Sequence, residues 1–204
     1  MTPGFALGLA GVLTAGAGLL AVAADGPRAL AVVGPLAVAV WSYDLVLKST
    51  SAGSAAMSAC RGLDVMVGSG GSPRALPAAV VVASHIAVVT EVSRREVDGG
   101  DPSVGRRALA ATGAVAAAAA VLSRGRLAAL GLVGAYATVV GRAHAEAAQD
   151  PSPANLQRAV GAGILGLMPL EAGLLAGAGA LVPAAGVASL WPLARRAARK
   201  RAVT

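Results

Sequence analysis

The sequence predicts an all-α fold, a polytopic bundle of about eight transmembrane helices. Three observations carry this. Hydrophobic residues make up 56% of the chain and charged residues only 13%, against roughly a quarter charged in a soluble domain, and mean hydropathy is +0.70. Apolar runs approach the roughly 20 residues a span needs and are broken by charged, Gly-rich or Pro-rich clusters. The runs are Ala-rich and do not alternate with period two, which sets aside a β-barrel. Alanine inserts only marginally, and this is the one argument for a soluble helical bundle. The low charge and high apolar content exclude disorder.

The first run, 4–24, lacks the basic stretch of a signal peptide and reads as a span. The second, 29–47, carries Trp41 and Tyr43 near its end, where interfacial anchors sit. The third, 52–69, is interrupted by Arg61 and Asp64. The fourth, 76–92, leads into a charged loop, and the fifth and sixth cover 106–123 and 127–145. The loop "QDPSPAN" precedes the seventh, 157–176, and Trp191 lies near the end of the eighth, 179–194. Pro169 and Pro183 are candidate kinks or ends. Small residues at helix-packing spacing recur, as in Gly131–Ala135 and Gly161–Leu165–Gly166. The single cysteine, Cys60, excludes an internal disulfide. One membrane-embedded domain then covers 1–204, with 195–204 as a basic tail.

Net charge is +7, but the charges lie in short loops between apolar spans, so the partner is a lipid bilayer and not nucleic acid. With eight spans, Lys48, Arg94, Arg95, Arg106, Arg107, Arg142, Arg158 and the five cations of the tail fall on the N-terminal side. Arg28, Arg74, Arg124 and Arg126 fall on the other. The positive-inside rule then places both termini in the cytoplasm, in a multi-pass protein of the cell membrane. The tail "RRAARKRAVT" reads either as a membrane-surface anchor or as a solubilising terminus.

Three polar features stand out. In "WSYDLVLKST", residues 41–50, Tyr43, Asp44 and Lys48 mark a span end, and a snorkelling lysine would explain them as an interfacial anchor. Arg61 and Asp64, three apart, share a helix face. Each costs about 2.5–3.5 kcal/mol at a span centre, so they face either each other or a polar cavity. In residues 85–107, Glu91, Glu96, Asp98 and Asp101 are interleaved with Arg94 and Arg95. Clustered carboxylates suit Mg²⁺, and adjacent arginines suit diphosphate oxygens. A solvated charged loop is the plainer reading.

Three stretches, "YDLVLKSTSAGSAAMSACRGLDVMVG", "VTEVSRREVDGGDP" and "AVGAGILGLMPLEAGLL", together resemble the UbiA superfamily of intramembrane prenyltransferases, in particular its actinobacterial EboC-like branch. The resemblance implies a UbiA-like helical bundle around a cavity open to cytoplasm and lipid. It implies Mg²⁺-dependent transfer of a prenyl group from a prenyl diphosphate to an acceptor. It makes Glu91 and Glu96 metal ligands, with Asp98 the next candidate. Lys48, Arg94 and Arg95 would contact the diphosphate, Arg61 and Asp64 would point into the cavity, and Tyr43 would line its mouth. The chain departs from the family in two ways. Its second acidic motif is not DxxxD, and the first, of NDxxDxxxD type, is absent, since the only acid in residues 1–40 is Asp25. The chain is therefore expected to start at the family's third helix, with half of the metal site and little or no transfer activity by itself. A non-catalytic membrane scaffold and a small transporter with Arg61 and Asp64 lining its path are the alternatives.

Overall fold

A computed structural model describes residues 2–201, the side chains of 199–201 excepted. The last residues of the predicted basic tail thus lie outside the described ones. Among the described residues every regular element is helical. The chain forms two compact units that divide between Ala79 and Val80.

In the first unit, α1 (Pro3–Asp25) starts with Thr2 as its cap, whose hydroxyl accepts from the Phe5 N–H, and with proline at its first position. It stops at Gly26, whose φ of +76° suits glycine. A 3₁₀ turn at Pro27–Ala29 leads into α2 (Leu30–Ser42), which widens into a π-turn over Tyr43–Leu47. The Trp41 indole N–H donates to the Thr14 hydroxyl at 3.2 Å and ties α2 to α1. Neither α1 nor α2 has a buried residue, and Phe5, Val12, Leu13, Leu19 and Leu20 are exposed, as lipid-facing side chains would be. α3 (Gly53–Gly68) follows. Its 16 residues make a helix about 24 Å long, short of a hydrocarbon core of about 30 Å.

In the second unit lie α4 (Leu76–Ser93) from Val80 onward, α5 (Pro102–Leu122), α6 (Leu127–Gln149), α7 (Pro153–Gly177) and α8 (Leu181–Arg201). Short connections make α5 to α8 antiparallel neighbours. α7 is the most buried and runs unbroken through Pro169. Two apolar cores stack along the unit. Val81, Val115, Val133, Tyr136, Val140 and Leu170 form one, and Val89, Val92, Ala108, Ala147, Leu156 and Ala159 form the other. Close approach rests on glycine, and of the three glycines in the spacing pattern only Gly166 supplies it. A Cβ at Gly131 or Gly161 would meet nothing within 4 Å. At Gly166 it would strike Val140, and at Gly105 it would strike the backbone of α6. In lipid such approaches count because packing, more than water exclusion, drives helix association.

All eight predicted segments are helices. Six stretches, Pro3–Asp25, Pro27–Leu47, Pro73–Ser93, Pro102–Leu122, Leu127–Gln149 and Pro153–Gly177, are long and apolar enough to cross a membrane. α3 is too short, and the second half of α8 carries its basic residues. The fifth segment starts earlier than its apolar run because Asp101 caps it and Pro102 opens it.

Asp101 therefore serves as an N-cap, accepting from the Ser103 N–H at 2.5 Å. Hydrogen bonding to Ser103 holds its carboxyl below the usual carboxylate range. Its contribution to the start of α5 is complete above the unfolded pKa and fades as pH falls through the lowered one. Hydrogen exchange in the first turn of α5 should accelerate on acidification in the wild type. In Asp101→Asn that acid-dependent part should disappear, and equal acid responses in the two proteins would count against the cap.

Candidate functional site

α4 and α6 end, and α5 and α7 begin, at the same end of the second unit. The loop after α4 is fixed there by backbone. The Gly100 N–H donates to the Pro151 carbonyl at 3.1 Å, and the Gln157 amide donates to the Glu96 carbonyl at 3.4 Å. Gly99, with φ +80°, lies against Pro151 and Pro153. Beside it, the Asn155 amide donates to the Asp150 carboxylate at 2.7 Å. Arg158 donates to the Asn155 side chain.

A cleft of about 270 Å³ opens between α4 and α5. Val88, Glu91, Val92 and Arg95 supply one wall, and Val104, Arg107, Ala108 and Ala111 the other. Each set has spacing i, i+3, i+4, i+7, one face of a helical run. The walls are apolar, and the charges gather towards the end where α4 stops and α5 starts. A second cleft of about 230 Å³ shares Val88 and Ala111 and continues along the same seam to Val80, Val81, Val115 and Ala118. From Val80 to Glu91 the helix rises about 16 Å. The seam is thus a long apolar groove with one carboxylate and two guanidinium groups at one end.

The cleft brings together two of the residues read from the sequence, Glu91 and Arg95. Arg94 is exposed in the turn that ends α4, and Glu96 and Asp98 lie on the loop beyond, half-buried and exposed respectively. Among the described residues no three His, Cys, Asp or Glu side chains gather to hold a metal ion. In the first unit, Tyr43 is half-buried and Lys48 exposed, at the start and just past the end of the π-turn. Arg61 and Asp64 pair with each other at 3.0 Å, with side chains 53% and 46% exposed.

Sequence reasoning missed two features. Arg107 had been counted only as a topological charge. The signal for its place was the Asp101–Pro102 helix start, which puts Arg107 on the same stripe as Val104, Ala108 and Ala111. The second feature is polar and interior. The chain has two histidines, His85 and His144, and both are fully buried. The Gly163 carbonyl, which can only accept, lies 3.0 Å from His85 Nε2 and assigns the proton to that nitrogen. His85 Nδ1 then accepts from the Tyr136 hydroxyl, also at 3.0 Å. The two rings meet edge to face. Thr112 pairs with His144 Nδ1 at 2.8 Å. His144 Nε2 is covered and has no partner among the described residues. These contacts join α4 to α6 and α7, and α5 to α6.

No protein-family model, curated protein or solved structure matches this chain. Function therefore has to be argued from the cleft and its charges.

Proposed function

We propose that the chain is an integral membrane protein that binds a prenyl diphosphate along the α4–α5 groove and takes part in Mg²⁺-dependent transfer of its prenyl group to an acceptor. The observation that carries this reading is the groove itself: apolar along its length, with Glu91, Arg95 and Arg107 at one end. An amphipathic anion with a long hydrocarbon tail has that distribution of chemistry. Guanidinium groups suit diphosphate oxygens because their planar donors match the acceptors in pairs. Apolar walls keep water from the carbon that becomes electron-poor as the C–O bond breaks and its electron pair leaves on the diphosphate.

Mg²⁺ commonly takes one or two carboxylates and completes its shell with substrate phosphate oxygens and water. Glu91 offers one such carboxylate at the groove, and Glu96 and Asp98 lie on the adjoining loop. Bound there, the ion would neutralise charge on the leaving diphosphate. The protein's own work is to fix the diphosphate through Arg95 and Arg107 and to exclude water along the tail.

The same reading gives an orientation. Arg94, Arg95, Arg106, Arg107, Arg142 and Arg158 lie at or towards the groove's charged end of the second unit, and Arg124 and Arg126 at the other. The positive-inside rule makes the former end cytoplasmic, and α8, running back from α7, brings the C-terminus there. Counting α3 and α8 as spans makes eight and puts the N-terminus on the same side.

The reading is tested with geranylgeranyl diphosphate, Mg²⁺ and the purified chain in detergent. Saturable binding is expected, with Glu91→Gln losing the Mg²⁺-dependent part. Diphosphate release should be slow, since only one acidic motif is present. Absence of saturable binding would leave the scaffold reading, and binding that ignores both Mg²⁺ and Glu91 would favour transport.

A further inference from the structure

α8 divides along its length. Its first half is held in the bundle by Ala184, which is 3% exposed and packs with Ala129 and Ala176. Beyond it the apolar side chains Leu190 and Leu193 are 54% and 56% exposed. The helix nonetheless continues to Arg201. Positions 190 and 193 lie one turn apart on that helix, and Arg195 and Arg196 follow in the next turn. Trp191 stands at the junction, with the Arg195 guanidinium 5.2 Å from its ring centroid. After Glu171 the sequence contains no acidic residue, so no carboxylate on this helix neutralises its basic end.

We infer that the last turns of α8 lie at headgroup level and bind the phosphates of anionic lipids. Apolar side chains at acyl depth, a tryptophan at the boundary and arginines beyond it are the parts of an interfacial anchor. Charge complementarity selects the lipid: each cation near an anionic surface attracts it, and zwitterionic lipid offers no net charge in return. Arg195 and Arg196 carry the described part of the site. The inference needs only the membrane reading and not prenyl transfer.

The full chain is reconstituted in nanodiscs of phosphatidylcholine mixed with phosphatidylglycerol, and the lipids it retains are weighed by native mass spectrometry. The wild type should retain phosphatidylglycerol preferentially, less so as salt rises. Arg195→Gln/Arg196→Gln should lower that preference about thirtyfold, while Arg124→Gln, at the other end of the bundle, leaves it in place. Trp191 gives a second readout in a Trp41→Phe background, where lipids brominated near the headgroup should quench it. Equal retention of both lipids by the wild type overturns the inference. So does undiminished preference in the double variant, or a Trp191 that headgroup-level quenchers do not reach.

Discussion

Gly105→Ala is expected to destabilise the second unit by about 3 kcal/mol or more, beyond the usual range for overpacking. The added Cβ would sit 2.3 Å from the Ala148 nitrogen and 2.5 Å from the Ala147 carbonyl carbon. Both are backbone atoms of α6, so no side-chain rotation can relieve the contact. α5 and α6 would have to separate, and Ala108 and Ala147, which pack in one core beside this point, would move apart with them. Gly113 is the internal control. It lies on the same helix, and a Cβ there meets nothing within 4 Å. Gly113→Ala should therefore be neutral or gain up to about 1 kcal/mol from helix propensity. Unfolding in mixed detergent and SDS compares the two, and equal stabilities would show that α5 and α6 do not approach this closely.

The second large effect is on binding. Arg107→Gln should weaken prenyl diphosphate binding about tenfold to a hundredfold, the range for losing a hydrogen bond to a charged group, and Arg95→Gln should do the same. Arg106 provides the comparison. It is next in sequence and equally charged, but it does not line the cleft. Arg106→Gln changes the long-range field as much as Arg107→Gln does, so only a localised site distinguishes them. Calorimetric titration with Mg²⁺ present measures all three. Equal weakening by Arg106→Gln and Arg107→Gln would mean that a diffuse positive surface, and not the cleft, attracts the anion.

Helix positions were legible because runs of apolar residues interrupted by charge, Gly and Pro are a local signal. That Arg61 and Asp64 share a helix face was legible for the same reason, since i,i+3 neighbours need no tertiary information, but that they pair with each other, one of the two readings left open, was not. The cleft was half legible. Glu91 and Arg95 belong to a conspicuous acidic and basic stretch, whereas Arg107 takes its meaning from a wall that another helix completes. The glycines that admit neighbouring helices were legible only in part: the small-residue spacing includes Gly166, but in a chain with 27 glycines spacing cannot say which of them faces a helix. Nor was the histidine seam. His85 meets Tyr136 and Gly163 across 51 and 78 residues of sequence, and a lone histidine in an apolar run announces no partner.

That seam also bears on how the protein is made. If the helices enter the bilayer in the order of synthesis, α4 arrives with a side chain whose partners have not yet been translated. An imidazole without hydrogen bonds in hydrocarbon is costly, so α4 has reason to linger at the insertion machinery or the bilayer surface until α7 emerges. The commitment of α4 to the membrane then becomes a late event, following the synthesis of helices that come after it in the chain.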